Sequence, residues 1–199
     1  MSKLKFMKKI IAIITLFLLT CYAVNAQEHL KFKGIPIDGD SKAFVQKLKE
    51  AGYVQDSSGD VVYYKGTFAG LKDCSIMVKT TPKSNIVCSI MVLTDDVTSW
   101  YDLKGLYNKL KDSYSAKYEL DASYDFFSSP YYEGDGYEIQ AVKLDKCHYM
   151  SFFNASGGKI VVKISAVSSS KGYVVIIYED TINTNLSDKE KEQTVFDDI

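Results

Sequence analysis

Two histidines, four cysteines and a tyrosine-rich acidic stretch are the residues of this 199-residue chain that could do chemistry. His148 directly follows Cys147 in an alternating segment. Successive side chains of a strand leave opposite faces, so these two cannot act together as thiolate and base. His29 stands alone near the N-terminal end of the folded region. A Ser-His-Asp triad would have to recruit a serine that no Gly-x-Ser-x-Gly turn marks. Zinc ligation lacks a His-Glu-x-x-His or a Cys-x-x-Cys spacing. The acidic glycine runs Asp38-Gly39-Asp40 and Glu133-Gly134-Asp135-Gly136 lack the alternating oxygens and late glutamate of a calcium loop. They read as a helix entry and a tight turn. No phosphate-cradling or dinucleotide glycine motif occurs, and no cofactor is expected.

The strongest composition bias lies between Tyr114 and Tyr137. There, tyrosines and phenylalanines interleave with Glu119, Asp121, Asp125, Glu133 and Asp135. Tyrosine combines a large stiff contact area with a polar tip, which suits protein interfaces and sugar platforms. Tyr124, Phe126, Tyr131, Tyr132 and Asp135 are therefore the candidate ligand-binding residues, with a protein or a glycan as the partner. The competing reading is that Phe126, Phe127 and Tyr131 seal the end of a sheet. A third use of the same stretch is a carboxylate pair for glycoside hydrolysis, which needs only two Asp or Glu at the right separation.

Charge narrows the partner further. Every basic residue is lysine; the chain has no arginine. Arginine supplies the planar fork that reads phosphate, carboxylate and guanine bidentately. A net-acidic chain without it, and without a basic stripe, is a poor nucleic-acid binder. It also lacks the polybasic patch that attracts anionic lipid.

Residues 1–26 read as a secretory signal. Lys3, Lys5, Lys8 and Lys9 precede an apolar run at 10–19, which is too short to cross a bilayer. Val24-Asn25-Ala26 fits ordinary signal cleavage. Leu18-Leu19-Thr20-Cys21 is a poor lipobox, because bulky residues precede the cysteine and little tether follows it. The expectation is release into the periplasm or medium rather than lipidation at Cys21, with no membrane helix in the mature chain. The mature chain then keeps 20 of the 24 lysines against 25 carboxylates, a formal charge of −5. Cys74, Cys88 and Cys147 remain, and at most one bridge can form among them. They read as small buried apolar side chains.

These residues must be positioned by an α+β scaffold. A strand is expected at 29–35. Phe44, Leu48 and Ala51 recur at helical spacing over 42–51, with Asp40 or Ser41 as cap and Gly52 as the left-handed stop. Strands follow at 61–68, 74–80 and 86–94. The last two share the pentapeptide CSIMV, which sets Cys, Ile and Val on one face and Ser and Met on the other. Trp100, Leu103, Tyr107, Leu110 and Tyr114 form one helical stripe, within which Gly105 leaves room for a close approach. Residues 115–136 read as loop, then strands at 137–144, 148–154, 159–167 and 173–178. A polar tail at 181–199 is expected to fray, with a short helix near 187–193. The organisation expected is a single domain at 27–180. Its two similar halves, about 27–96 and 97–180, each hold a helix and three or four antiparallel strands. The helices cover one face of a joined sheet, and the other face is left for function.

HLKFKGIPIDGDSKAFVQKLKEAGY at 29–53 resembles the start of small exported proteins of Bacteroidetes-type bacteria. YYKGTFAG at 63–70, SWYDLKGLYNKL at 99–110 and YYEGDGYEIQAVKL at 131–144 fit the same family. That resemblance implies export and an α+β fold and carries over no functional residue. The function expected is an exported, non-enzymatic binding or interaction module. The alternatives are a glycan-directed envelope hydrolase and a structural subunit of a surface assembly.

Overall fold

A computed structural model describes residues 28–56 and 62–197. The expected signal at 1–26, Cys21 included, lies outside the described residues. Within them the chain is α+β, with one large antiparallel sheet of eight strands and four helices.

The N-terminal segment forms a two-stranded hairpin, β1 (Lys31–Phe32) and β2 (Ile35–Pro36). Lys33 and Gly34 turn it with φ of 49° and 82°. Paired positive φ matches the right-handed twist of a tight hairpin, and it breaks the single strand expected there. Helix α1 (Ser41–Glu50) follows, capped by the Asp40 carboxylate, which accepts from the Lys42 amide at 2.9 Å. Gly52, at φ 90°, ends it as expected. Four strands come next: β3 (Val54–Asp56), β4 (Tyr63–Phe68), β5 (Leu71–Thr80) and β6 (Val87–Leu93). Val61, where the second strand was expected to start, lies outside the described residues. Ser99 then caps α2 (Trp100–Ser115). Its stripe of Leu103, Tyr107, Leu110 and Tyr114 is buried.

Three expectations fail beyond this point. The stretch read as loop at 115–136 contains β7 (Glu119–Phe127), a nine-residue strand exposed along nearly its whole length. Because it lies at the sheet margin, water bathes both of its faces, and the buried alternation that marks a strand never develops. The strand expected at 137–144 is a short helix, α3 (Glu138–Lys143). Its Glu, Gln, Ala and Lys are strong helix formers, and six residues are too few for periodicity to decide. The frayed tail is α4 (Thr181–Asp197). Tertiary hydrogen bonds hold it. The Asn183 side chain donates to the carbonyls of Ile37 and Val87 at 3.0 Å, and Glu190 accepts from the Lys83 amide at 2.7 Å. The remaining strands are β8 (Cys147–Ala155), β9 (Gly158–Ser168) and β10 (Lys171–Asp180).

The sheet runs β3-β4-β5-β6-β10-β9-β8-β7, antiparallel throughout. Register sets Tyr64, Ile76, Val92, Ile176, Val162 and Ser151 in one cross-strand row on the covered face. Helix α2 packs there. Tyr107 and Ser151 share a 2.6 Å hydrogen bond, and the hydroxyls of Tyr114 and Tyr178 meet in the interior. Burial pushes both of those phenols well above the ordinary tyrosine range. They stay protonated and serve as hydrogen-bond partners. Phe44 and Leu48 of α1, Ile139 and Ala141 of α3, and Phe32 of the hairpin join the same core.

The N-terminal segment is clasped to the end of β10. The Asp180 carboxylate is fully buried and accepts from the amides of Leu30 at 2.8 Å and Asn183 at 2.9 Å. Backbone runs so close over Gly157 that a Cβ there would lie 2.0 Å from the Glu28 carbonyl oxygen.

Candidate functional site on the helix-free face

The opposite face of the sheet carries a second set of rows. Met77, Met91, Ile177, Val161 and Phe152 align across β5, β6, β10, β9 and β8, ending at Ala122 on β7. Beside them run Leu93, Val175, Lys163, Met150 and Tyr124. Antiparallel sheets usually alternate apolar inside with polar outside. Here both sides of the central strands are apolar, while α1, α2 and α3 pack on the first. Helix α4 meets the second at one end, where Ser187 lies against the Cys88 thiol and Thr184 and Asn185 lie beside Lys159 and Glu179. The remainder, out to β8 and β7, is the helix-free face. Met77, Met91, Ile177, Met150 and Phe152 are part-exposed. All three methionines among the described residues lie on this face. Methionine is unbranched and polarisable, and it adapts to varied partner surfaces.

Of the five residues singled out in the sequence, two reach this face. Tyr124 and Phe126 project from β7 beside it, 51% and 47% exposed. Tyr124 meets Phe152 edge-on, with ring centroids 6.1 Å apart, and Phe126 lies 5.0 Å from the His148 ring. Tyr131, Tyr132 and Asp135 are elsewhere. They line a shallow depression of 390 Å³ with Pro130 and Tyr137, in the loop between β7 and α3. Asp135 is occupied by the turn itself, accepting from the amides of Tyr132 at 3.1 Å and Tyr137 at 2.7 Å. Tyr131 packs on the core margin and accepts from the Gln140 side chain at 3.0 Å. The sequence therefore ran two surfaces together, because it read β7 and the following loop as one segment.

At the other end of the helix-free face, Tyr63, Tyr173, Asp73 and Asp95 line a polar depression of 390 Å³. The strand pattern offered no sign of this grouping, since its members come from four separate segments. The methionine rows had a signal in advance. Both CSIMV copies already placed Met on the side away from Ile and Val.

The remaining candidates are committed to structure. His29 Nδ1 lies 3.1 Å from Asp180 and its Nε2 lies 3.5 Å from Asp38, so both ring nitrogens face carboxylates. For Asp38, burial alone would raise the pKa. The hydrogen bonds from Asn183 and the Gly39 amide, with the His29 charge, outweigh burial and hold it below the usual aspartate range. Cys147 points into the core while His148 lies on the other face, as the alternation required. Cys74, Cys88 and Cys147 are free and buried. Burial, helped by Glu133 and Glu138, pushes the Cys147 thiol up to about 12. Burial likewise raises Cys74 and Cys88. Thiols of this kind are inert as nucleophiles.

Glu133 pairs with Lys104 on α2, whose hydrogen bond holds its carboxyl below the ordinary glutamate range. A glycosidase acid needs the opposite shift. Glu28, Asp38, Asp188, Glu190 and Asp197 are likewise held below their ordinary ranges. Among the described residues, no cluster of three or more His, Cys, Asp or Glu is placed to hold a metal ion. Nor is any helix among them long and apolar enough to cross a membrane.

No protein-family model matches this chain, and none of the curated proteins compared with it matches either.

Proposed function

We propose that this protein is an exported, non-enzymatic binding module that engages a protein or glycan partner through the helix-free face of its sheet. The observation that carries the reading is the apolar row Met77–Met91–Ile177–Val161–Phe152, part-exposed at Met77, Met91, Ile177 and Phe152 and buried at Val161, on a face that α1, α2 and α3 leave uncovered and α4 meets at one end. Apolar side chains left part-exposed side by side are what an interaction surface offers a partner. Tyr124 and Phe126 flank it as aromatic anchors, the residue types that dominate binding energy when a partner desolvates them. The polar depression at Tyr63, Tyr173, Asp73 and Asp95 gives the same face a hydrogen-bonding end. Export rests on the N-terminal charge and hydropathy pattern, with cleavage after Ala26 rather than lipidation of Cys21.

We also infer an organisation in two similar halves, 27–96 and 97–180. Its support is the order of elements: a helix and then four strands, twice, the second set interrupted by α3 after β7, with β6 and β10 side by side at the centre. One joined sheet then presents a single binding face.

A photo-reactive side chain placed at Met91 or Phe152 tests the reading in cells of the native host. Discrete adducts are expected from these positions and none from Asp112 on the outer side of α2. Removing Tyr124 and Phe126 together, as alanines, should cut the adduct yield at least fivefold. Adducts from Asp112 alone would place the partner on the helices and end the proposal.

A further inference from the structure

The helix-free face ends at β7, and this strand has an unusual margin. It is nine residues long and outermost, and among the described residues no strand pairs with its outer edge. The opposite margin is β3, with three residues. Folded proteins blunt exposed edges with short strands, lysine, proline or a bulge, because unpaired amides and carbonyls template a further strand. The sequence ELDASYDFF has no lysine and no proline. Its protection is a single register irregularity, between Leu120 and Ala122, and carboxylates of one sign, which a basic strand would neutralise.

We propose that β7 is a strand-addition site. It takes an extended segment of a partner protein that alternates apolar with basic residues, lengthening the sheet beyond Glu119–Phe127. The inference rests on the binding-module reading and specifies its partner. Two features set the partner's chemistry. The apolar rows of the helix-free face run out to Tyr124 and Phe126, so an added strand extends them with its own apolar side chains. The strand also carries Glu119, Asp121 and Asp125, of which Asp121 already draws Lys159 to within 3.9 Å. By register Asp125 opposes Tyr149, on the side away from Tyr124 and Phe126. Lysine or arginine alternating with the apolar side chains therefore answers Asp125, while Glu119, opposite Asn154, adds negative charge at the strand's other end. Opposite charges across a strand pair stabilise it and like charges oppose it. The same carboxylates argue against a second copy of this chain. Antiparallel self-pairing centred on Ser123 sets Asp121 against Asp125 twice. Main-chain pairing supplies the grip in such complexes, and alternate side chains supply the selection.

The test is amide hydrogen exchange on the full mature protein, with three blocked eight-residue peptides. One alternates valine and lysine, one alternates valine and glutamate, and one is the valine–lysine peptide with every amide N-methylated, so that neither of its edges can pair. At low salt the valine–lysine peptide is expected to slow exchange across 119–127 at least tenfold. The glutamate and N-methylated peptides should leave it within twofold. The double variant Asp121→Lys with Asp125→Lys, both exposed positions, should reverse the preference toward the glutamate peptide while keeping the parent melting temperature. Protection that survives N-methylation would mean charge attraction without strand pairing, and it overturns the proposal. So does an absence of β7 protection with the valine–lysine peptide. Exchange at β7 that slows with protein concentration alone identifies the occupant as a second copy, and it overturns the proposal equally. Adducts at Met91 without any β7 protection leave the binding face standing and remove only the strand addition.

Discussion

Replacing Asp180 with alanine isolates the clasp that holds the N-terminal segment in place beside the binding sheet. The carboxylate has no solvent exposure, two amides depend on it, those of Leu30 and Asn183, and His29 Nδ1 lies 3.1 Å from it. Each buried amide left without a partner costs about 1–3 kcal/mol. Relief from burying a carboxylate offsets part of that sum, since an ion removed from water carries its own penalty. The net expectation is a loss of about 3 kcal/mol. For a domain of this size that lowers the melting temperature by roughly 6–12 °C. Asp180→Asn keeps one acceptor oxygen and should lose about half as much. Asp188→Ala removes an exposed partner of Lys191 and should leave the melting temperature close to the parent's. The assay is urea unfolding followed by the fluorescence of Trp100, the one tryptophan, and in parallel by circular dichroism. A loss below about 1 kcal/mol for Asp180→Ala, with an unchanged dependence on urea, would refute the assignment of those hydrogen bonds as stabilising.

Other perturbations test other parts of the structure. Gly105 sits in α2, and a Cβ added to it would meet nothing within 4 Å, so the close approach anticipated there is absent; Gly105→Ala should raise stability by about 0.8–1 kcal/mol in thermal melts. Tyr107→Phe removes one hydroxyl from the Tyr107–Ser151–Ser123 chain but leaves Ser151 bonded to Ser123 at 3.0 Å, so a loss of about 1 kcal/mol is expected by the same assay. Glu133 has a folded pKa depressed by the Lys104 hydrogen bond, so its contribution is complete above the unfolded glutamate value of about 4.3 and is lost as pH falls through the lower folded value. Trp100 fluorescence should step in that acid range, and Glu133→Gln should abolish the step. Cys74, Cys88 and Cys147 should resist alkylation at pH 8 in the native state and react together in urea, as read by mass.

The parts of the fold readable in the sequence are those where burial imposes a period. The α2 stripe, the cap of α1, the central strands and the opposed faces of Cys147 and His148 were all legible, and all but the cap follow from one side facing a core. Readability failed at the margins. Strand β7 is wet on both faces, so its tyrosines and carboxylates looked like an unstructured loop. Helix α3 is too short to show a period. Helix α4 is held by hydrogen bonds that Asn183 donates to, and Glu190 accepts from, backbone far away in sequence, and no local pattern records those bonds. The binding face was half legible. Its methionines lay on the side of CSIMV away from the core, but the row they form with Ile177, Val161 and Phe152 depends on strand order, which one sequence does not display.

The methionines also offer the most direct test of the binding face. Met77, Met91 and Met150 all lie on it, and sulfoxide formation at each can be counted by mass spectrometry. Purified mature protein and protein in cells of the native host would receive the same brief dose of peroxide. An occupied face predicts sulfoxide formation at all three at least fivefold slower in the cells than in the purified protein. Exposed tyrosines on the helix side, such as Tyr101, would serve as controls under hydroxyl-radical labelling and should react alike in both. Equal methionine oxidation in the two settings would contradict a binding role for the helix-free face.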